Sequence, residues 1–414
     1  MKIRVEQPCP QCGGPVTLSA SDRLLTCPYC GVKNFLQSDG PFRYALPVRA
    51  EFTAPEQLLH APYLRFRGNI FLVTEKGISY RVVDTTQDGF PMPGLPPSLG
   101  MRPQAMPLVR LNRESPGRFL RPAVKVRVIL EKAVRIHELT GKNGSQLYHR
   151  AFIGEDVSFI YLPLERTETA LKDAVLSREL VELDRVVSYP LKGSPFNPRW
   201  QVRFLATLCP RCGAALDGES DCLVLTCSNC DTAWQAGPAG LERIDCRIIP
   251  GDSATALYLG FWKISAHLPG VGIWSFADFM ARTNQPLVVR REWHERVMQF
   301  WIPAFKLRPK IFLQAGRRTT IGQWRLEGEE TIRILPGLYP VTMPESEARQ
   351  ALKVILAASA AGRKMIFPYL PELTAENMSS TLVFLPFADR NHDWVQPQTG
   401  TVVSKRVLSY GRSL

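Results

Sequence analysis

Along this chain the apolar residues come mostly in short runs, rich in aromatic and β-branched side chains and closed off by proline or glycine. RYALP (Arg43 to Pro47), PYLRFRG (Pro62 to Gly68), RFLRPAVKVRV (Arg118 to Val128) and FIYLPLE (Phe159 to Glu165) are of this kind. So are CRIIP (Cys246 to Pro250), LYLGFWKIS (Leu257 to Ser265), QFWIPAFKLRP (Gln299 to Pro309) and LVFLPFA (Leu382 to Ala388). These segments are predicted to be strands, because such side chains suit a half-buried pleated surface and the bounding residues start turns. Helical spacing is rarer. Leu171, Val175, Leu180 and Leu183 approximate one helix face over Thr167 to Arg185, and an Ala-rich run from Pro344 to Ala361 carries Leu352, Val354 and Ile355. A shorter helical candidate runs from Leu287 to Met298.

The first four segments answer the second four in order. Tyr63 matches Tyr258, Phe66 matches Phe261, and the third pair shares the frame F-x-x-P-A-x-K-x-R. The cysteine sets described next are offset by 200 and the four segment pairs by 203, 195, 181 and 223, so insertions and deletions separate the anchors. This is the signature of a tandem duplication. The expected fold class is α+β, each half being a four-cysteine zinc ribbon followed by a mainly antiparallel β module with helical insertions. The boundaries read as residues 1–40 and 207–240 for the ribbons, with modules at 41–206 and 241–414. The anchor aromatics read as core rather than as a base-stacking platform, since Tyr and Phe at strand spacing usually face inward.

Eight of the ten cysteines form two sets of identical spacing: Cys9, Cys12, Cys27, Cys30 and Cys209, Cys212, Cys227, Cys230. Each is CxxC, fourteen residues, CxxC. Two tight knuckles joined by a hairpin can surround one tetrahedral ion, and four thiolates leave no open position on it, which predicts a structural centre. Two Zn²⁺ are expected, with iron in a rubredoxin-like site as the alternative. Disulfides and a thioredoxin-type redox pair fit less well, because the CxxC pairs are repeated and no secretory leader is seen. CPQCGG, CPYCG and CPRCG supply proline in the turn and glycine after the second ligand; CSNCD supplies neither. Cys222 and Cys246 remain, and read as buried free thiols.

Charge changes the picture only locally. The chain carries 51 basic and 38 acidic residues, a net of +13, with 45% hydrophobic and 21% charged residues. That is ordinary globular composition, and it permits an anionic partner without demanding one. A proline-rich segment at 85–122 turns basic, and from Arg102 to Arg135 nine Arg or Lys face two Glu. Proline at that density predicts neither helix nor central strand. Arg110, Arg113, Arg118 and Arg121 are candidates for contacting phosphates or an acidic protein face, against the alternative of an ordered loop with solvated arginines. Lys125, Arg127, Lys306 and Arg308 recur in both copies at alternate positions and would share one strand face, as a groove or as a plain solvated side.

Other chemistry is not nominated. GKNGS at 141–145 only superficially resembles a phosphate-binding loop, and no HExxH, GxSxG or GxGxxG occurs. The six histidines are dispersed, and His294, between Glu292 and Glu295, reads as a helix-surface residue. No apolar run approaches the roughly 20 residues needed to cross a bilayer, and the N-terminal MKIRVEQPCPQC has no leader pattern, so a cytoplasmic protein is expected.

The ribbon together with Ile249–Pro250, with Tyr258, Leu259, Phe261 and Trp262, with Leu385, Pro386 and Phe387, and with Gln398 to Gly400 resembles a group of bacterial proteins. In that group a ribbon like that of transcription factor IIB is followed by "IP", "YLPFW" and "QTG" segments, and its members are often labelled primosomal-helicase-like. The first copy matches through Leu46, Pro47, Tyr63, Leu64 and Phe66 and lacks a QTG hairpin. Some members bear transmembrane helices and act as adaptors at membrane surfaces, so the resemblance implies partner binding in a cytoplasmic or membrane-surface assembly. The helicase label finds no ATPase motif here.

The function expected is therefore a non-enzymatic scaffold that presents ribbons, β edges and the proline-rich segment to protein partners. The alternative is nucleic-acid binding through the first half, whose residues 1–206 carry +9, whereas residues 207–250 with the second ribbon carry a net of minus three. A third reading is an enzyme with its site between the modules.

Overall fold

A computed structural model of the 414-residue chain describes residues 3–49, 54–123, 146–253, 255–326 and 328–412. The architecture is α+β and mostly strands. The chain divides into two compact units. The first falls within Met1–Arg67, Val83–Lys142 and Asp156–Ala206, and the second within Gly68–Val82, Asn143–Glu155 and Thr207–Leu414. The change of unit at Ala206/Thr207 coincides with the start of the second cysteine set, but two segments of the first copy are counted with the second unit.

In the first unit the strands Arg178–Glu182, Ala170–Asp173, Leu147–Arg166, Phe42–Ala45, Leu108–Arg110, Arg4–Pro8 and Pro15–Ser19 lie side by side in that order. Alternation decides which way the edge hairpin faces. Val5 and Leu18 stand opposite each other and are buried, while Glu6 and Thr17 beside them point outward. Tyr44, Tyr63, Ile160, Leu162 and Leu171 join this core.

Two expectations need correcting in this unit. Thr167 to Arg185 is no helix but a hairpin, Ala170–Asp173 against Arg178–Glu182, followed by a 3-10 turn at Leu183–Val186. Asp173 makes the difference: its Oδ1 accepts from Val175 N at 2.9 Å and Leu176 N at 3.2 Å, and Ser177 takes a φ of +57°. An Asp side chain bonding its own turn offers the backbone an alternative to helix, and the 4-5-3 spacing of the apolar residues is too irregular to resist it. The proline-rich segment, in turn, does hold a central strand. Leu108–Arg110 pairs with Arg4–Pro8 on one side and Phe42–Ala45 on the other. Only three residues long and starting just after Pro107, it asks few ladder bonds of its neighbours, so proline is tolerated. A single helical turn, Arg102–Ala105, also occurs, with Pro103 in its first turn. The segment is packed, with Phe90, Met92 and Leu99 in the core and Tyr63 donating to the Pro96 carbonyl at 2.8 Å.

The second unit has a sheet in the order Gln299–Pro303, Leu257–His267, Glu376–Arg390, Asp393–Val395, Val402–Ser404, with Cys246–Ile248 parallel to Glu376–Arg390. The expected helix in the Ala-rich run is present as Glu345–Ser359. It packs on Pro309–Gly322, and a Cβ on Gly316 would come within 2.6 Å of Ile355. The candidate at Leu287 to Met298 reduces to a 3-10 turn, Arg291–His294, and His294 lies exposed on it. The helix nearby is instead Phe276–Arg282, started by a reciprocal cap in which Ser275 and Asp278 bond each other's backbone N–H. Phe71, Val73, Ala151 and Ile153, from the two first-copy segments, enter this unit's core, where the Phe71 and Phe312 rings are 5.9 Å apart.

The register of the two sheets carries the duplication into three dimensions. Phe42–Ala45 runs parallel to the later long strand with Arg43, Tyr44 and Ala45 opposite Phe159, Ile160 and Tyr161. Cys246, Arg247 and Ile248 stand opposite Leu382, Val383 and Phe384. These are the residues the two sequence copies equate, and the next bond is shared as well: Leu46 N to Tyr161 O and Ile249 N to Phe384 O are both 3.0 Å. The third anchor pair is different. Arg118–Phe119 runs parallel to the strand Leu58–Thr74, whereas Gln299–Pro303 runs antiparallel to Leu257–His267. The topological partner of Arg118–Phe119 is Leu338, which bridges Tyr258 in parallel. Both follow Pro-Gly pairs, Pro116–Gly117 and Pro336–Gly337, whose glycines take φ of +86° and +80° against a strand carbonyl. The shared F-x-x-P-A frame is thus not a structural equivalence.

Candidate metal centres

The fourteen residues between knuckles are enough for a hairpin that returns the second CxxC beside the first. In the first set Leu24–Thr26 pairs with Lys33–Gln37, and in the second Val224–Cys227 pairs with Thr232–Gly237. Each knuckle is closed by backbone bonds. Gly13 N donates to Cys9 O at 2.9 Å and Cys9 N to Gly14 O at 2.8 Å, with matching bonds at Cys209, Gly213 and Ala214 of 2.9 and 2.8 Å. Gly13, Gly31 and Gly213 take φ of +72°, +72° and +76°, as the turn demands. The fourth knuckle, which lacks glycine, makes the same turn: Asp231 takes φ +54° and its Oδ1 accepts from Ile334 N at 2.8 Å. A short polar side chain tolerates that region, so CSNCD departs from the pattern in composition only.

The eight sulfurs gather into two quartets, each with all four Sγ atoms within 4.8 Å of one another. Cys9 and Cys30 are 3.8 Å apart, Cys12 and Cys27 3.7 Å, Cys209 and Cys230 3.6 Å, Cys212 and Cys227 3.5 Å. A tetrahedron with metal–sulfur bonds of about 2.3 Å has edges of about 3.8 Å, so the spacing fits one ion per quartet. It is far from the about 2.05 Å of a disulfide. In each quartet two sulfurs, those of Cys9 and Cys27 or Cys209 and Cys227, are buried, and the other two reach the surface.

Electrostatics point the same way. The backbone N–H of Cys30 draws the Cys27 thiol down to about 6, while burial pushes the Cys227 thiol up to about 12. Crowded sulfurs cannot all ionise together unless a cation joins them. Thr232 adds a device that the sequence reading overlooked. Trp234 Nε1 donates to Thr232 Oγ1 at 2.9 Å, which leaves the hydroxyl proton free for the Cys230 sulfur, 3.1 Å away. A hydroxyl two residues beyond the last ligand was the available signal. Cys222 and Cys246 are buried, and burial pushes both thiols up to about 12, as suits inert core residues.

The described basic candidates stand in different local surroundings. Arg110 is 6% exposed, with its guanidinium 4.8 Å from the Phe42 ring centroid and 5.2 Å from that of Tyr44, and burial pushes it below its usual range. It is a core cation and not part of an exposed arm. Arg118 reaches Lys192 O at 2.6 Å and Gly193 O at 3.0 Å, while Arg113 and Arg121 are exposed. Lys306 and Arg308 follow the end of the strand Gln299–Pro303 and precede the helix Pro309–Gly322, so they share no strand face. Lys125, Arg127 and the GKNGS segment lie outside the described residues. The anchor aromatics are core, Tyr63, Phe66, Tyr258 and Phe261 all being buried.

Among the described residues no helix is long and apolar enough to cross a membrane. No family model, no curated protein and no solved structure matches this chain.

Proposed function

We propose that this protein is a non-enzymatic scaffold whose two four-cysteine hairpins are zinc ribbons, each ion stiffening a body that binds a protein partner. The observation that carries the reading is the pair of sulfur quartets at tetrahedral spacing. Four thiolates saturate a zinc ion, leaving no position for water or substrate, so its contribution is folding energy for a short hairpin. The all-thiolate set with backbone donors accepts zinc or iron, and zinc is the choice here because a purely structural centre needs no redox-active metal. Short ribbon hairpins with free edges, such as Leu24–Thr26 and Gly240–Ile244, are suited to receiving a partner strand.

The experiment is purification of the full chain from its native host with elemental analysis of the product. About two zinc ions per chain and a stoichiometric partner that is lost with Cys30→Ser or Cys230→Ser support the proposal. Bare protein recovered repeatedly, or a partner indifferent to both substitutions, overturns it.

A further inference from the structure

Outside the sulfur centres, the second copy has a basic stretch of its own. Residues 285–325 carry nine Arg or Lys against Glu292 and Glu295, an excess of seven out of the chain's thirteen. Folding gathers part of that charge into a cleft of about 370 Å³, lined by Gln285, Arg317, Arg318, Trp324, Arg325 and Gly400 among others. The described lining includes no carboxylate.

The cations in it are held in different ways. Arg318 Nη1 donates to Gly400 O at 3.2 Å, which fixes its guanidinium at the rim. Arg317 is exposed and has no hydrogen bond or ion pair among the described residues. Arg325 and Arg290 each place the guanidinium carbon 4.7 Å from the Trp324 ring centroid, forming a layered planar surface. Arg290 is paired with Glu292 at 3.5 Å, but Arg317, Arg318 and Arg325 have no carboxylate partner among the described residues; together they raise the local potential, and the matching ligand is an anion with several charges. Planar indole and guanidinium surfaces favour a ligand that also carries flat rings, which a lipid headgroup lacks. The cleft of about 370 Å³ admits a nucleotide unit, and its three arginines offer more positive charge than a lone phosphate requires.

We propose that this cleft and its flanking arginines bind single-stranded nucleic acid, with phosphates on Arg317, Arg318 and Arg325 and bases against the layered Trp324 surface. The site is built from second-copy residues and includes neither Arg113 nor Arg121 of the first, and it stands independently of the scaffold reading.

The test is binding of the full-length protein to a labelled oligothymidylate of about 12 nucleotides over a salt series. Three phosphate contacts predict a log–log slope of about −2, since each single-strand contact adds about −0.7. Arg317→Glu combined with Arg318→Glu should flatten the slope to about −0.7 and weaken binding at least about tenfold. An abasic oligomer of equal length should bind about tenfold more weakly than the oligothymidylate. Arg113→Glu with Arg121→Glu should leave affinity and slope unchanged, and circular dichroism checks that all variants are folded. The proposal fails on absent binding, on binding that survives the double substitution at 317 and 318, on equal affinity for the abasic oligomer, or on equal loss in the first-copy variant. It also fails if anionic phosphatidylserine vesicles, and not the oligomer, are bound through these arginines.

Discussion

The two cysteine hairpins share spacing, knuckle bonds and sulfur geometry, yet they complete their sheets with different material. Beside Lys33–Gln37 the first hairpin receives Arg203–Ala206, which arrives at the far end of the first copy. The second hairpin takes Gly240–Ile244, the strand that directly follows its own. Their fastenings differ too. In the first, the Arg23 guanidinium lies 4.7 Å from the Phe42 ring centroid and 3.2 Å from Asp156. In the second, Arg412 from the end of the described chain holds Asp221 at 2.6 Å and Glu219 at 3.2 Å. Thr232 shields the second sulfur quartet, and Val32 stands at the corresponding place in the first. Identical ligand spacing therefore says little about what surrounds a metal hairpin, because four thiolates and an ion define only the knuckles.

The largest effect should come from removing a ligand. Cys27→Ser or Cys227→Ser should each lower the zinc content from about two to about one per chain and unfold that hairpin, since structural zinc contributes about 10 kcal/mol or more. Limited proteolysis separates the two cases. Only Cys27→Ser should open Arg203–Ala206 to cleavage, because only that hairpin depends on a distant strand; cleavage there in both variants would contradict the comparison.

Next in size is a pH effect confined to the second unit. Glu347 is buried and accepts from the Gly154 and Glu155 N–H groups, and burial, reinforced by the charge of Glu155, raises its carboxyl from 4.5 to about 8, with Lys306 opposing. A folded-state pKa above the unfolded one gives stability that is complete below about 4.5 and is lost as pH rises through about 8. Glu347→Gln keeps an oxygen for both N–H groups without the charge. The wild-type melting temperature should fall across that window while the variant's stays level, and parallel pH profiles would refute the assignment.

A smaller change should distinguish the quartets themselves. Thr232→Val removes the hydroxyl near Cys230 and should weaken zinc at the second centre by about ten- to a hundredfold in chelator competition, leaving the first unchanged. Smallest is Asp231→Ala, which puts a β-carbon at positive φ without the bond to Ile334 N and should cost about 1–2 kcal/mol in chemical denaturation. Asp231→Gly should cost less, as the turn itself is then relaxed.

Much of this architecture could be read from residue order. The strand anchors Arg43–Pro47, Cys246–Pro250, Phe159–Glu165 and Leu382–Ala388 appear where aromatic and β-branched runs predict them, in matching parallel register. The Ala-rich helix was legible for the same reason of periodicity. The helix expected over Thr167 to Arg185 failed because a single Asp side chain captured the turn at 173–177, an energy of the order of 1 kcal/mol that periodicity does not register. The third anchor pair failed because the Pro-Gly turns at 116–117 and 336–337, and not the longer shared frame, direct the chain alongside the long strand. Arg110 looked like a solvated arginine until its neighbours Phe42 and Tyr44, more than sixty positions away, closed over it.

By itself the sequence determined the two sulfur quartets and the doubling of the fold, because ligand identity at short fixed spacing and local strand propensity act within a few residues. Only the tertiary structure decided which strand completes each hairpin, that Glu347 meets Gly154 and Glu155, and that Arg317, Arg318, Trp324 and Gly400 line one cleft. Those outcomes rest on contacts between segments far apart in the chain. They are chosen by which arrangement buries most apolar surface while satisfying its polar groups, a quantity no local stretch of residues contains.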